Sequence, residues 1–149
     1  MPGSTAKSVS PAACALCLEP GGEVLRDDGF ARIVLAGDAD HPGFCRVILN
    51  AHVREMTDLP EADRARLMGL VFVVEGLLRE LLSPDKINLA EFGNVVPHLH
   101  WHVIPRFTDD AHFPNAVWGE KKREGARPLP AGFNRSLRQR LDEMLGSVR

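Results

Sequence analysis

Features of a membrane-bound, secreted or nucleic-acid-binding protein are missing from the sequence. Its 149 residues contain no uncharged apolar run that approaches the roughly 20 residues of a membrane-spanning helix. Three cysteines, an odd count, disfavour a secreted disulfide framework. The formal net charge of −2 disfavours general binding of nucleic acid through its phosphates. We therefore expect a cytoplasmic protein with neither a membrane nor a nucleic-acid partner.

The composition and length indicate one folded domain. Hydrophobic residues make up 44% of the chain and charged residues 26%, which are ordinary proportions for a globular protein. A chain of this length is typical of a single domain. Residues 1–13 are small and polar and lack the apolar segment of a secretory signal. We expect residues 1–13 to be a flexible N-terminal tail and residues 14–149 to form the domain.

The pattern of apolar residues predicts five strands and two helices. Short apolar runs predict strands at residues 23–26, 30–35, 44–49, 86–90 and 98–107. Leucines and valines at three- and four-residue spacing predict a long helix that begins at Pro60 and ends at Ser83-Pro84. A similar spacing predicts a C-terminal helix from Pro128. Because strands and helices are segregated along the chain, we predict an α+β fold, with both helices accompanying an antiparallel sheet of about five strands.

Three of the six histidines alternate with apolar residues in the segment PHLHWHVIPR, residues 97–106. On a strand, alternation places His98, His100 and His102 on one face, with neighbouring rings starting roughly 6.5–7 Å apart. A neutral imidazole is nucleophilic near pH 7 and can attack phosphorus, while flanking imidazoles orient it or protonate a leaving group. Zinc binding by two of the histidines is an alternative. All three cannot easily bind one ion, because the outer two start roughly 13 Å apart.

This row resembles the motif of the histidine triad superfamily of nucleotide hydrolases and transferases. His98 to Ile104 matches that motif throughout, and the resemblance covers about residues 14–118. Further matching positions are Gly93 and residues 50–52, with residues 104–107 and 116–118 similar to bacterial members. The resemblance implies attack on the α-phosphate of a purine-type nucleotide through a covalent nucleotidyl-histidine. The implied substrates are dinucleoside polyphosphates or nucleoside phosphoramidates, and the implied assembly is a homodimer.

The resemblance also assigns roles to individual residues. His100 matches the central nucleophile, His102 the histidine that contacts the phosphate and leaving group, and His98 the histidine that orients the site. The implied substrate-binding residues are Asn88, Gly93, Asn94 and, for the ribose, Asp38, with Asp40 as the alternative. Val95 departs from the branch of the family that has serine there and uses it in leaving-group protonation.

A second motif is Cys14-Ala15-Leu16-Cys17, which by itself fits a redox pair, half of a zinc site or two buried thiols. A redox role is disfavoured, because no thioredoxin-like βαβ pattern surrounds the motif. In some bacterial histidine triad proteins and in the related galactose-1-phosphate uridylyltransferases, matching cysteines bind structural zinc with two histidines. The resemblance therefore implies a tetrahedral zinc site of Cys14, Cys17, His52 and His98. We expect no organic cofactor.

Three other residues receive structural interpretations, and two rival functions stay open. We expect Cys45, in an apolar strand, to be a core residue, and His41 and His112, in turn-rich segments, to be surface histidines. The first rival function is a zinc-dependent hydrolase that uses His98 and His100, which chelator-sensitive turnover would support. The second is a non-catalytic nucleotide-binding module, which stoichiometric binding without product would support.

Overall fold

The computed structural model describes residues 10–125 and 127–148. Five strands form one antiparallel sheet: β1 (Glu23–Asp27), β2 (Ala31–Leu35), β3 (Cys45–Leu49), β4 (Lys86–Glu91) and β5 (His100–Arg106). Their order across the sheet is β1-β2-β3-β5-β4. The helices are α1 (Ala15–Leu18), α2 (Glu61–Leu82) and α3 (Phe133–Leu145). The predicted α+β fold with an antiparallel sheet of five strands is confirmed.

The boundaries of several elements differ from the prediction. Helix α2 begins at Glu61, and Pro60 stands just before it with an extended ψ of 151°. Helix α3 begins at Phe133, later than the predicted Pro128. Of the predicted N-terminal tail, residues 1–9 lie outside the described residues, and Pro11–Ala13 form one turn of 3-10 helix.

One face of the sheet packs against helices α2 and α3 and forms the main core. Helix α2 contributes a continuous apolar stripe of buried residues: Leu67, Leu70, Val71, Val74, Leu77 and Leu78. The helix ends at Leu82, and the next residue, Ser83, adopts a left-handed φ of 47° and is followed by Pro84. Each of the five strands contributes buried residues to this core, and β3 lies at the centre of the sheet with β5 beside it.

The opposite face of the sheet carries the histidines and a smaller apolar cluster beneath helix α1. Cys14, Leu16, Val34 and Ile48 form this cluster. Because side chains alternate along a strand, the strand that sends Val103 into the main core presents His100 and His102 on this opposite face. The sheet therefore separates the packing core from the candidate site.

Two structural interpretations from the sequence have different outcomes. Cys45 is fully buried, as predicted, and burial raises the pKa of its thiol to about 12. The surface assignment of His41 and His112 is wrong, because their exposed fractions are 3% and 9%. Nε2 of His41 lies 2.8 Å from Nδ1 of His112, so each ring satisfies part of the other's hydrogen bonding inside the loops. Across residues 10–125 and 127–148, no helix has the length and apolar character to cross a membrane.

Candidate active site and metal centre

His100 lies at the start of β5, and a backbone carbonyl orients its ring. Its Nδ1 is 2.5 Å from the carbonyl oxygen of His98. Because a carbonyl can only accept a hydrogen bond, Nδ1 carries the proton and Nε2 keeps the lone pair of a neutral ring. Burial lowers the pKa of His100, and the positive charge of Arg46 lowers it further. The hydrogen bond to His98 acts in the opposite direction and raises it. At neutral pH, His100 is a neutral imidazole with a nucleophilic Nε2.

His102 lies two residues further along the same face. Its ring centroid is 4.8 Å from that of His100 and 4.8 Å from the ring of Trp118, both in edge-on contact. Burial, with the nearby charges of His100 and Arg46, lowers the pKa of His102 to about 3. Its buried Nδ1 has no hydrogen-bond partner among the described residues. His102 is therefore neutral at pH 7 and holds an unsatisfied polar atom within the site.

The backbone carbonyl of His98 orients His100, while the ring of His98 faces Cys14, Cys17 and His52. The prediction that the strand begins at His98 is wrong by two residues, because β3 ends at Leu49 and its ladder with β5 begins at His100. Nε2 of His98 lies 2.5 Å from the carbonyl oxygen of Leu49 and carries the proton. Nδ1 therefore presents its lone pair to the cysteines of the N-terminal motif.

Cys14, Cys17, His52 and His98 form a cluster that can hold a metal ion, as the family resemblance implied. Nδ1 of His98 lies 3.4 Å from each sulfur and 3.3 Å from Nδ1 of His52. A tetrahedron with metal–sulfur bonds of about 2.3 Å and metal–nitrogen bonds of about 2.0 Å has edges of about 3.3–3.8 Å. The three distances from Nδ1 of His98 therefore match those of a zinc site, and all four donor atoms lie within 4.8 Å of one another. His100 is outside this cluster, which disfavours the rival zinc-dependent hydrolase.

Arg32 attaches helix α1, and with it both cysteines, to the sheet. Its guanidinium donates to the carbonyl oxygens of Leu16, Glu19 and Pro20 and to Oδ1 of Asn50. These bonds satisfy carbonyls at and just beyond the end of a four-residue helix that is too short to be stable alone. The position of the metal cluster thus depends on an arginine that the sequence analysis did not single out.

Asn88 lies on the histidine face, opposite Ile104 and next to the pair formed by Ala90 and His102. Its Oδ1 accepts a hydrogen bond of 2.8 Å from Nη1 of Arg106, so the amide NH2 group remains as a donor. Arg106 is itself held by a buried ion pair with Asp110, in which Nε and Oδ2 are 2.8 Å apart. The pair fixes the orientation of the Asn88 amide.

The two predicted loop residues precede β5. Gly93 has a φ of +58°, in the region that favours glycine, and a Cβ there would lie 3.1 Å from Oε1 of Glu91. Asn94, which follows it, is exposed. The structure thus places both in the turn between β4 and the histidines, with Asn94 facing solvent.

The two candidate ribose ligands lie in one loop but differ in their partners. Oδ1 of Asp38 accepts hydrogen bonds from the backbone N–H groups of Asp40 and His41 at 2.9 and 3.2 Å. Burial lowers the pKa of Arg46, and the negative charge of Asp38 opposes this by raising it. Asp40 instead forms an ion pair of 3.3 Å with Lys121. Asp38 is therefore the carboxylate on the side of the histidines.

Arg46 is a residue of the site that the sequence analysis missed. It pairs directly with His102 across strands β3 and β5, so both side chains lie on the same face. It also lines a cavity of about 700 Å³, together with residues 13, 15, 16, 18–22 and 36. One charged residue in the otherwise apolar segment 44–49 was the signal that could have revealed it.

Comparisons with known proteins agree with this geometry. A curated relative from Mycobacterium tuberculosis, named AP-4-A phosphorylase, is 29% identical over 87 residues, covering 54% of this chain and 45% of its own length. Another from Schizosaccharomyces pombe, named bis(5'-nucleosyl)-tetraphosphatase (asymmetrical), is 30% identical over 90 residues, covering 56% of this chain and 50% of its own. The chain thus spans about half the length of these two relatives.

A solved structure and a family model extend the comparison. The crystal structure of a histidine triad protein from Bradyrhizobium japonicum is 30% identical, with a TM-score of 0.68 over 85% of this chain and 92% of that chain. The model of the HIT domain matches residues 19–109, which is more than half of the chain. The chain therefore belongs to the HIT domain family, the histidine triad proteins that its histidine motif resembles.

Proposed function

We propose that the protein is a nucleotide hydrolase in which His100 attacks the α-phosphate of a dinucleoside polyphosphate. The hydrogen bond from Nδ1 of His100 to the carbonyl of His98 carries this proposal, because it leaves the Nε2 lone pair on a neutral ring. Nε2 forms a bond to phosphorus while the bond from phosphorus to the bridging oxygen breaks. That oxygen leaves with the electron pair, and the leaving nucleotide departs. Water then attacks the same phosphorus, breaks the phosphorus–nitrogen bond and releases a nucleoside monophosphate.

The state of His102 favours a phosphate over an amine as the leaving group. With a pKa of about 3, His102 is neutral in the free protein and has no proton to give as an imidazolium. An amine leaving group must be protonated as it departs, whereas a polyphosphate leaves as a stable anion. Val95 is exposed and apolar where one branch of the family has serine, so it supplies no donor. The names of both curated relatives also refer to dinucleoside tetraphosphates.

Residues around the histidines supply donors for the substrate. In the proposal, the amide NH2 of Asn88 donates to a phosphate oxygen, because Arg106 already occupies its Oδ1. Gly93 keeps the turn open for close approach of the phosphate chain, and Asn94 offers an exposed amide to it. Asp38 accepts hydrogen bonds from the ribose hydroxyl groups. Neutral donors in a half-buried site stabilise the charge that develops on the phosphate.

We further propose that Cys14, Cys17, His52 and His98 bind one structural zinc ion. The spacing of the four donor atoms fits tetrahedral coordination, and four protein ligands close the coordination sphere. The bond from Nε2 of His98 to Leu49 fixes the tautomer that exposes Nδ1 to the ion. Zinc would then hold the residue whose carbonyl orients His100.

The protein is also proposed to act as a homodimer, on the basis of its apolar surface. Phe72 and Met144 are 55% and 53% exposed and lie together on helices α2 and α3. Large apolar side chains grouped at a surface are typical of protein interfaces. Sedimentation of the purified protein measures the assembly directly, and a monomer at all concentrations would contradict the proposal.

Product analysis tests the proposed activity. We expect diadenosine tetraphosphate in phosphate-free buffer to yield AMP and ATP in equal amounts, with oxygen from labelled water appearing in AMP. Adenosine phosphoramidate, incubated in parallel, should be cleaved more slowly. His100→Ala should form no product, whereas the matched variant His112→Ala, outside the site, should retain turnover if folded. Binding of the tetraphosphate without any product from wild-type protein would instead establish the non-catalytic nucleotide-binding module.

A further inference from the structure

Arg46 stands between the histidines and a cavity on their face of the sheet. It lies opposite His102 in the ladder between β3 and β5, and its side chain lines the 700 Å³ cavity. Its Nη1 donates to the carbonyl oxygen of Gly21 at 2.8 Å, and its guanidinium carbon lies 5.4 Å from the ring centroid of Phe44. The guanidinium is therefore held in place beside the nucleophilic row.

The donors of Arg46 are used less than those of Arg32 and Arg106, two other arginines of the sheet. Arg32 and Arg106 each form four hydrogen bonds, all to backbone carbonyls or to fixed side chains. Within the described part of the chain, Arg46 donates one hydrogen bond and forms no ion pair. A guanidinium has five N–H donors and no acceptor. Arg46 thus keeps donors for a ligand, whereas Arg32 and Arg106 serve the fold.

The walls of the cavity suit a flat aromatic ring. Most of its lining residues are small or apolar: Ala13, Ala15, Leu16, Leu18, Pro20, Gly21, Gly22 and Ala36. The two charged residues that line it are Arg46 and Glu19. Ligand sites of this kind combine an apolar enclosure with a few polar groups that decide which ligand fits. A phosphate chain would need more donors than these walls supply.

We propose that this cavity holds the nucleobase of the nucleotide attacked by His100, and that Arg46 selects guanine over adenine. The inference rests on the proposed function and names the substrate class of the same site. Guanine presents two acceptors, O6 and N7, on one edge, which match a pair of guanidinium N–H donors. Adenine presents a donor amino group in place of O6, which faces the donors of Arg46. The carboxylate of Glu19 is the complementary acceptor for the amino group of guanine.

Equilibrium binding of GMP and AMP tests the selection without requiring turnover. Titration calorimetry on the full chain should show GMP bound about tenfold more tightly than AMP, since a bidentate arginine–guanine pair discriminates by about that factor. Arg46→Met should reduce the ratio to near one, chiefly by weakening GMP binding. Arg46→Lys keeps the charge but loses the planar pair of donors, and should also reduce the ratio. The control Arg135→Met, on the exposed face of α3, should keep the wild-type ratio.

The outcomes separate this inference from the proposed function. Equal binding of GMP and AMP by wild-type protein, or tighter binding of AMP, would overturn the role of Arg46 while leaving the reaction at His100 intact. A GMP preference that survives in both Arg46 variants would also overturn it. Failure of both GMP and AMP to bind would contradict the proposed function itself. Thermal unfolding of each variant shows whether it is folded, and Arg46→Lys supplies the result if Arg46→Met does not fold.

Discussion

Asp110→Asn tests the buried ion pair that holds the substrate amide in place. Asp110 and Arg106 are 7% and 2% exposed, and the carboxylate accepts two bonds from the guanidinium, at 2.8 and 3.1 Å. It also accepts three backbone N–H bonds, from residues 107, 112 and 113. The substitution leaves the buried guanidinium without a counter-charge and turns an amide NH2 group towards donors. Removing one partner of a buried pair costs about 3–5 kcal/mol of unfolding free energy.

The neighbouring variant Asp109→Asn provides a matched control. Asp109 pairs with Arg127 at 3.2 Å, but both side chains are more than half exposed, and such surface pairs contribute about 0–1 kcal/mol. Urea unfolding at pH 7 should therefore show a much larger loss for Asp110→Asn than for Asp109→Asn. Asp110→Asn should also slow turnover, because Arg106 orients Asn88. Equal losses of stability in the two variants would refute the reasoning.

The pH dependence of the difference in stability between wild type and Asp110→Asn provides a second test. Burial opposes ionisation of Asp110, but hydrogen bonds from Arg106 and from the backbone outweigh it and hold its pKa well below the usual range. Because the folded pKa lies below the unfolded value of about 3.9, the stabilisation is complete above that value and is lost as the pH falls below it. The stability gap between wild type and Asp110→Asn should be full from about pH 5 to 7 and narrow below about pH 4. A gap that is independent of pH would contradict the assignment.

Three further predictions concern the metal, the core and the second histidine. Elemental analysis should find one zinc per chain in wild-type protein, and Cys17→Ser should lose the metal and unfold at lower temperature, because structural zinc contributes folding free energy; metal-free wild-type protein purified without chelators would contradict this. Leu78→Ala should cost about 2–5 kcal/mol in urea unfolding, because Leu78 is fully buried beneath the sheet; a loss below about 1 kcal/mol would contradict the packing. His102→Ala should slow cleavage of diadenosine tetraphosphate but leave a residual rate, because its polyphosphate leaving group departs without protonation and His102 only contacts it; a loss of turnover as complete as that of His100→Ala would contradict this role.

The elements that the sequence predicts well are those with strong local periodicity. Helix α2 was predicted within one residue at its start, because its apolar stripe and the Ser83-Pro84 stop are local features. The alternation of His100 and His102 likewise determined their common face. The cluster of Cys14, Cys17, His52 and His98 came from the family resemblance, and the structure brings these four residues together.

The features that the sequence did not reveal depend on contacts between distant segments. His41 and His112 lie in loops 71 residues apart, and their pairing at 2.8 Å is invisible to any local pattern. The detachment of His98 from the strand follows from where β3 ends, which is a property of the partner strand. Arg46 appeared as one charge in an apolar run, and its place opposite His102 required the register of the ladder.

A covalent adduct on His100 is the most direct test of the central claim. Wild-type protein should be mixed with diadenosine tetraphosphate, quenched rapidly without acid, and examined by intact and peptide mass spectrometry, because phosphoramidates of histidine decompose in acid. The account predicts a mass increase of one adenylyl group, localised to Nε2 of His100 and absent from His100→Ala. Near-normal turnover by a folded His100→Ala variant, or an adduct on a different residue, would contradict the account.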